Sequence, residues 1–225
     1  MPKQEGRLEV PEVVVERLPL YVRALKELAQ RRIEVVSSRD LGERLHTTPA
    51  QIRKDLSAFG RFGKQGSGYN VQTLLTALQS ILGLDRDWYV AVVGVGRLGR
   101  AIISYPGFAP EGFRIVAALD NDPRQIGQVI GGLMVQPISE LPRIVKQQDI
   151  QIAIVAVPRD QAQEVIDLLV QAGIRAILNY APITPKVPPG VRVQTIDPVL
   201  ALQAMTYYLT AEARASHKVP TTPQR

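Results

Sequence analysis

The chain has no cysteine among its 225 residues. Disulfides, thiol catalysis and cysteine-ligated zinc or iron–sulfur centres are therefore excluded. Histidine is almost as scarce, with only His46 and His217 to supply imidazole. Neither lies in the α/β-like stretch that fills most of the second half of the chain, so no metal site is expected. No apolar run reaches the length needed to span a bilayer. The opening residues Met1-Pro2-Lys3-Gln4-Glu5-Gly6 are polar and lack the apolar core of a signal peptide. These absences lead to the expectation of a cytoplasmic protein with neither a membrane nor a metal partner. The length suits one or two domains with a sizeable core.

What is present is organised around Val90-Ala91-Val92-Val93-Gly94-Val95-Gly96-Arg97-Leu98-Gly99-Arg100-Ala101. An apolar, β-branched run enters a Gly-x-Gly-x-x-Gly turn, and a helix-prone segment follows. Gly94 allows the tight turn, Gly96 leaves room for a pyrophosphate, and Gly99 lets the helix pack on the strand. Free N–H groups at the helix start then face the anion. The candidate cofactor turn is therefore Gly94, Val95, Gly96, Arg97, Leu98 and Gly99. Alone the motif is weak, because glycines also end strands for structural reasons.

Ahead of this turn, residues 1–84 read as a helical domain. Val14, Val15, Leu18, Tyr21, Val22, Leu25 and Leu28 recur at helical spacing, with Pro19 inside the run. Ser37 and Asp40 form a capping-box start for a short second helix. Thr48, Pro49 and Gln51 start a third, with Gln51 as the reciprocal capping partner. The connection His46-Thr47-Thr48 gives helix–turn–helix spacing. Ile52, Leu56 and Phe59 share one face of the third helix, leaving Gln51, Arg53, Lys54 and Ser57 for another. Apolar anchors behind, with amide and basic groups in front, suit a recognition helix. Gly60-Arg61-Phe62-Gly63-Lys64-Gln65-Gly66-Ser67-Gly68-Tyr69 reads as a small hairpin, the wing, placing Lys64 or Gln65 near a minor groove. Asn70 caps a further helix that ends near Gly83.

Charge supports this reading locally. Residues 44–64 hold Arg44, Arg53, Lys54, Arg61 and Lys64 against Asp55 alone, a net of +4. Such a patch can face phosphates; an ordinary solvated face is the alternative. A helical protein–protein module is the alternative for the domain as a whole. Lys54 is expected to reach base edges, Arg53 to contact phosphate, and Arg61 to add to the same surface.

Polar Leu84-Asp85-Arg86-Asp87 marks a boundary. Strand-like runs follow at Trp88–Val95, Phe113–Asp120, Leu133–Ile138, Gln151–Val157, Ala176–Tyr180 and Val191–Ile196, with helical segments between several of them. In the clearest of these, 159–172, Val165, Leu168 and Leu169 face one way. The alternation implies a parallel, doubly wound sheet. Asp120 closes the second strand 26 residues after Gly94, near the interval of about 20 typical of a ribose-binding acid. A carboxylate there favours NADH and NAD+ over the 2′-phosphorylated forms, although an aspartate can also simply end a strand. The expected architecture is α/β: a winged helix–turn–helix domain over 1–84, a Rossmann-type doubly wound parallel sheet over 85–197, a C-terminal helix over 198–216 and a polar tail over 217–225. Val199, Leu202, Met205 and Leu209 stripe that last helix, which can pack on its own sheet or cross to a partner.

An NAD-dependent oxidoreductase with an appended helical domain is the competing class. Hydride-transfer enzymes usually place an acid–base group beside the substrate carbon. No histidine is available in the α/β core, the Tyr-x-x-x-Lys pair is absent at every tyrosine, and no second large domain holds a substrate. Binding without chemistry is the simpler reading. An NAD-binding adaptor for protein partners is a third option.

The motifs together resemble the Rex family of redox-sensing transcriptional repressors across nearly the whole chain. The resemblance is carried by Arg17-Leu18-Pro19-Leu20-Tyr21, Gln51-Ile52-Arg53-Lys54-Asp55-Leu56-Ser57, Phe59-Gly60 and Gly66-Ser67-Gly68-Tyr69. Beyond the glycine turn it continues through Tyr105-Pro106-Gly107-Phe108, Val157-Pro158 and Leu178-Asn179-Tyr180-Ala181-Pro182. It implies a homodimer that binds double-stranded operator DNA when NADH is scarce and releases it when NADH binds. It also implies a C-terminal helix exchanged between subunits, Tyr105 and Asp197 near the nicotinamide, and an interdomain switch in which Arg17 pairs with Asp197. The chain departs from the family pattern after Asp197, where Pro198 stands in place of a large apolar residue.

Overall fold

The computed structural model describes residues 10–63 and 67–216. They fall into two compact units, Met1–Arg86 and Asp87–Arg225.

In the first unit, α1 (Glu12–Gln30) buries Leu18, Tyr21, Val22, Leu25 and Leu28, one face at helical spacing. Pro11 is the N-cap and α1 continues through Pro19. Val15 is exposed, although it fits the same periodicity. The short strand β1 (Val35–Val36) leads to α2 (Ser38–Arg44), whose start is a full capping box between Ser37 and Asp40. Next, α3 (Pro49–Ser57) begins at Thr48, whose hydroxyl oxygen accepts the Gln51 N–H at 3.1 Å. Ile52 and Leu56 anchor α3 in the core, with Phe59 packed at its margin just past the helix end. The helix α4 (Val71–Ile81) is capped by Asn70, as expected.

The glycine-rich stretch makes a pairing that its sequence does not show. The strand β2 (Tyr69–Asn70) pairs antiparallel with β1, so Val36 faces Tyr69 and Val35 faces Asn70. Its partner lies ahead of α2 rather than within the glycine-rich stretch. A two-residue strand carries too little alternation to be read from sequence. Lys64, Gln65 and Gly66 lie outside the described residues.

The second unit is a seven-stranded sheet. Its strands are β3 (Trp88–Val93), β4 (Phe113–Asp120), β5 (Val129–Ile130), β6 (Leu133–Pro137), β7 (Ile152–Val155), β8 (Ala176–Asn179) and β9 (Arg192–Thr195). Their order is β5-β6-β4-β3-β7-β8-β9, all parallel except the edge strand β5. The order reverses between β3 and β7, which is the switch point of a doubly wound sheet. Strand alternation sorts the two faces. Val90 and Val92 pack with Ile102 and Ile103 of α5 (Arg97–Ser104). Ala91 and Val93 pack on the opposite face with Leu141 and Ile144 of α6 (Leu141–Gln147) and with Ile166 and Leu169 of α7 (Ala162–Gln171).

Two details differ from the sequence reading. β5 turns back onto β6 through Gly131 and Gly132, at φ 56° and 84°. Two successive left-handed residues are what a tight hairpin turn requires, so Gly-Gly between two apolar pairs was the available signal. In α7 the buried face is Ala162, Val165, Ile166 and Leu169, while Leu168 is exposed. Leu168 sits about 100° around the helix from Leu169 and falls on the flank.

The last helix, α8 (Pro198–Ser216), leaves Val199, Leu202, Met205, Tyr207, Tyr208 and Leu209 all more than half exposed.

Candidate dinucleotide cleft and nucleic-acid interface

The glycine turn connects β3 to α5 at the switch point. Gly94 has φ 93°, and a Cβ there would lie 2.7 Å from the Ala156 carbonyl oxygen. A Cβ at Gly99 would lie 1.8 Å from the carbonyl oxygen of Gly94. A Cβ at Gly96 would meet nothing within 4 Å. The turn is thus sealed against the protein on two sides and open on the third. The first helical bond runs from the Arg100 N–H to the Gly96 carbonyl. The N–H groups of Arg97, Leu98 and Gly99 therefore precede the ladder, as anion-binding donors do.

A cleft of about 240 Å³ opens beside this turn, between Gly94 and Gly96, Asp120 and Asp122 of the β4 end, and Ala156 and Pro158 of the β7 end. Asp120 holds its walls together. One carboxylate oxygen accepts the Val95 N–H at 2.7 Å and the other accepts the Asp122 N–H at 2.9 Å. Val95 is consequently not a ligand-facing residue: its side chain is fully buried and its N–H is committed to Asp120. Arg97 and Leu98 are exposed at the start of α5.

Several supporting residues were not singled out from sequence. Arg100 donates to the Val95 carbonyl and reaches Gln125 and Gln128 at 2.5 and 2.6 Å, tying the loop after β4 to the glycine turn. Asp122 is engaged by Arg124, whose hydrogen bonds hold its carboxyl below the ordinary value. Asn179, fully buried, accepts the Ala181 N–H and donates to the Ala181 carbonyl and to the Thr195 hydroxyl. Its signal was a polar residue ending an apolar strand, since a buried amide must find partners.

Tyr105 and Asp197 do not line the cleft. Tyr105 ends α5 and is exposed, edge-on to Phe108 with centroids 5.4 Å apart. Its ring occupies the space where a Cβ on Gly107 would stand. Asp197 accepts the Val199 N–H at 2.9 Å and so caps α8. That cap accommodates Pro198, which needs no hydrogen-bond partner at the first helical position.

In the N-terminal unit, Arg53, Lys54, Ser57 and Arg61 are exposed. The Arg53 guanidinium donates to the Ser38 hydroxyl at 3.0 Å, and the Ser57 hydroxyl donates to the Lys54 carbonyl at 2.7 Å. Gln51 departs from its expected roles. Its amide neither completes the capping box nor stands free on the outer face; it donates to Asp55 at 2.7 Å, one helical turn away. Arg17, which the resemblance pairs with Asp197, is held within its own unit by Asp55.

Asp55 is the main residue that the sequence reading undervalued. Its sequence context places it among the charges of a basic segment, yet it is fully buried. Its carboxylate accepts from Arg17 Nε and Nη2, both at 2.7 Å, from the Tyr21 hydroxyl at 2.5 Å and from Gln51. Burial acts to raise its pKa, but the hydrogen bonds from Arg17, Tyr21 and Gln51 outweigh it and hold the carboxyl below its ordinary value. The Tyr21 phenol is pushed up, first by burial and then by its bond to Asp55. With Asp55 neutralised inside, the exposed charge of the 44–64 segment is wholly basic among the described residues.

Among the described residues, no group of three or more histidines and carboxylates is placed to hold a metal ion. No helix among them is long and apolar enough to cross a membrane.

Residues 85–183 match a family model described as CoA binding domain, and residues 9–57 match one described as putative DNA-binding protein N-terminus. The chain is 55% identical over 213 residues to the redox-sensing transcriptional repressor Rex of Roseiflexus sp. (strain RS-1), covering 94% of this chain and 97% of that one. Its structure is similar to the crystal structure of RSP in complex with beta-NAD+ and operator DNA, with a TM-score of 0.86 at 37% identity, covering 94% of this chain and 99% of that chain. It is also similar to RSP in complex with beta-NADH, with a TM-score of 0.84 at 36% identity, covering 93% and 98%.

Proposed function

The chain belongs to the Rex family of redox-sensing transcriptional repressors, and on that premise we propose that it binds palindromic operator DNA and is released when NADH enters the cleft beside Gly94–Gly99. It is a regulator and not an oxidoreductase. The observation that carries the ligand assignment is the open side of the turn at Gly96, set against the closed sides at Gly94 and Gly99. A pyrophosphate fits where a side chain would stand, and the helix start supplies its donors.

The residues take the following roles. The backbone of Gly96, Arg97 and Leu98 faces the pyrophosphate, and Asp120 accepts the adenosine ribose hydroxyls. That second task asks Asp120 to share lone pairs already engaged by Val95 and Asp122, which a carboxylate with four acceptor sites can do. Tyr105 and Asp197 belong to the nicotinamide end, and Arg17 with them forms the interdomain switch; these three assignments rest on the family resemblance. Lys54 reads base edges, and Arg53 and Arg61 contact phosphate, with Ser57 beside them. Lys64 and Gln65 serve the wing.

The protein works as a homodimer in the cytoplasm. Support for the dimer comes from α8, whose apolar side chains are exposed on a single chain and would be covered if the helix crossed to a second copy. Two recognition helices must then match half-sites about one helical turn apart, or a multiple of it. NADH differs from NAD+ in carrying a neutral ring, and a site that accepts that ring better in one dimer arrangement shifts the population towards it. The shift equals the differential affinity and no more.

The test is fluorescence anisotropy on a palindromic operator with NADH titrated at fixed salt. Operator affinity falls as NADH rises if the reading holds. Affinity that ignores NADH overturns the switch, and sustained NADH turnover with a small carbonyl substrate would support the oxidoreductase reading.

A further inference from the structure

Asp55 sits on α3 between the exposed Arg53 and Lys54 on one side and Ser57 on the other, yet faces inward and is fully buried. A carboxylate is costly to bury, and an apolar residue of similar size often packs there with equal or greater stability. Stability alone does not account for it. Its four hydrogen bonds do something the surrounding apolar contacts cannot. Ile52 and Leu56 pack without directional preference, so they tolerate small rotations and slides of α3 over its neighbours. The Asp55 bonds are directional. Arg17 grips both carboxylate oxygens side-on, Tyr21 binds one of them from the next turn of α1, and Gln51 binds from the preceding turn of α3. Fork geometry of this kind defines both distance and plane. Together the bonds lock the rotation of α3 about its axis and its position along α1. That rotation decides where the Lys54 ammonium and the Arg53 guanidinium point.

We propose that Asp55 is a positioning residue for operator reading: through Arg17, Tyr21 and Gln51 it sets the register of the recognition helix on α1. The inference rests on the DNA-binding role proposed above. It also recasts Gln51, expected from sequence to face DNA, as part of the internal clamp.

Positioning separates from mere folding by comparing specific with non-specific binding. The non-specific contribution comes from phosphate charge and is insensitive to small helix rotations, whereas base contacts need bidentate geometry. The experiment uses the full chain and two labelled duplexes of equal length at one salt concentration. One is the palindromic duplex that the wild-type protein selects from a random pool; the other is its scrambled counterpart. Asp55→Asn and Tyr21→Phe are measured beside wild type, with NADH affinity and thermal unfolding as controls. Asp55→Asn should lower the specific-to-scrambled ratio by about tenfold or more, with scrambled binding, NADH affinity and the salt slope unchanged. Tyr21→Phe removes a single hydroxyl and should lower the ratio by a few fold. The inference is overturned if both variants keep the wild-type ratio, or if they lose specific and scrambled binding in equal proportion. A wild-type protein that selects no duplex at all overturns the DNA-binding reading itself.

Discussion

Asp120 accepts the backbone N–H of Val95 at 2.7 Å, so the end of β4 closes the glycine turn that follows β3. One carboxylate thereby serves two ends. It stiffens the glycine turn, and in the proposed reading it also accepts the ribose hydroxyls of an adenosine.

Asp120→Ala should therefore weaken NADH more than the loss of a ribose contact alone implies. A hydrogen bond to a charged group is worth about 1.5–3 kcal/mol, so a loss of tenfold or more is expected. The discrimination against NADPH should shrink as well, since the carboxylate that repels a 2′-phosphate is gone. Calorimetric titration with both dinucleotides measures each effect.

Gly99→Ala forces a methyl group into the carbonyl of Gly94, where it would stand 1.8 Å from the oxygen. Helix α5 must move away from β3. Overpacking of this kind costs about 1–3 kcal/mol, and the helix start loses its aim at the cleft. Thermal unfolding followed at Trp88 should show a lower midpoint, and NADH binding should be lost. Retention of wild-type NADH affinity would refute the close-packing account.

The recognition helix can be divided by salt dependence. Arg53→Ala should weaken binding to all duplexes and lower the salt slope by about one, the signature of a lost phosphate contact. Lys54→Ala should instead relax sequence preference, at a cost of about 1–3 kcal/mol on the preferred duplex. If both variants behave alike, the split between phosphate and base contacts is wrong.

Acid should act on the N-terminal unit through Asp55. Its folded-state pKa is lowered, so the stability it contributes is fully present above the unfolded carboxylate value of about 3.9 and is lost as pH falls through the folded value. Tyr21 has the opposite sign. Its folded-state pKa is raised, so its contribution is fully present below the unfolded tyrosine value of about 10 and declines above it. Circular dichroism melts across pH should show both arms. Asp55→Asn should flatten the acid arm.

The apolar side chains of α8 predict assembly. Leu202→Asp combined with Leu209→Asp places two charges on one face, seven residues apart. Sedimentation equilibrium should report a monomer that still binds NADH and binds operator weakly. A dimer unaffected by the pair would place the subunit contact elsewhere.

Much of this architecture can be read locally. Short apolar runs bounded by polar turns, and amphipathic spacing at 3.6, are properties of short segments, so β4 and α1 are legible residue by residue. Caps are legible for the same reason: Ser37 with Asp40, Thr48 and Asn70 each bond within three residues. The glycine turn and Asp120 are legible because the spacing of a strand, a turn and a second strand is set by fold geometry.

Long-range partners are not written this way. Asp55 read as a surface charge because nothing near it in sequence says that Arg17 and Tyr21, 38 and 34 residues away, come to lie against it. The pairing of β2 with Val35–Val36, on the far side of two helices, is hidden for the same reason, because two residues offer too short a pattern. Burial and pairing across such distances depend on how helices pack, and packing is settled by the whole core at once. The residue types along the chain specified most of its elements, the glycine turn and the basic face of α3; the folded packing turned Asp55 inward and joined it to α1, because a buried carboxylate is stable only where donors converge on it.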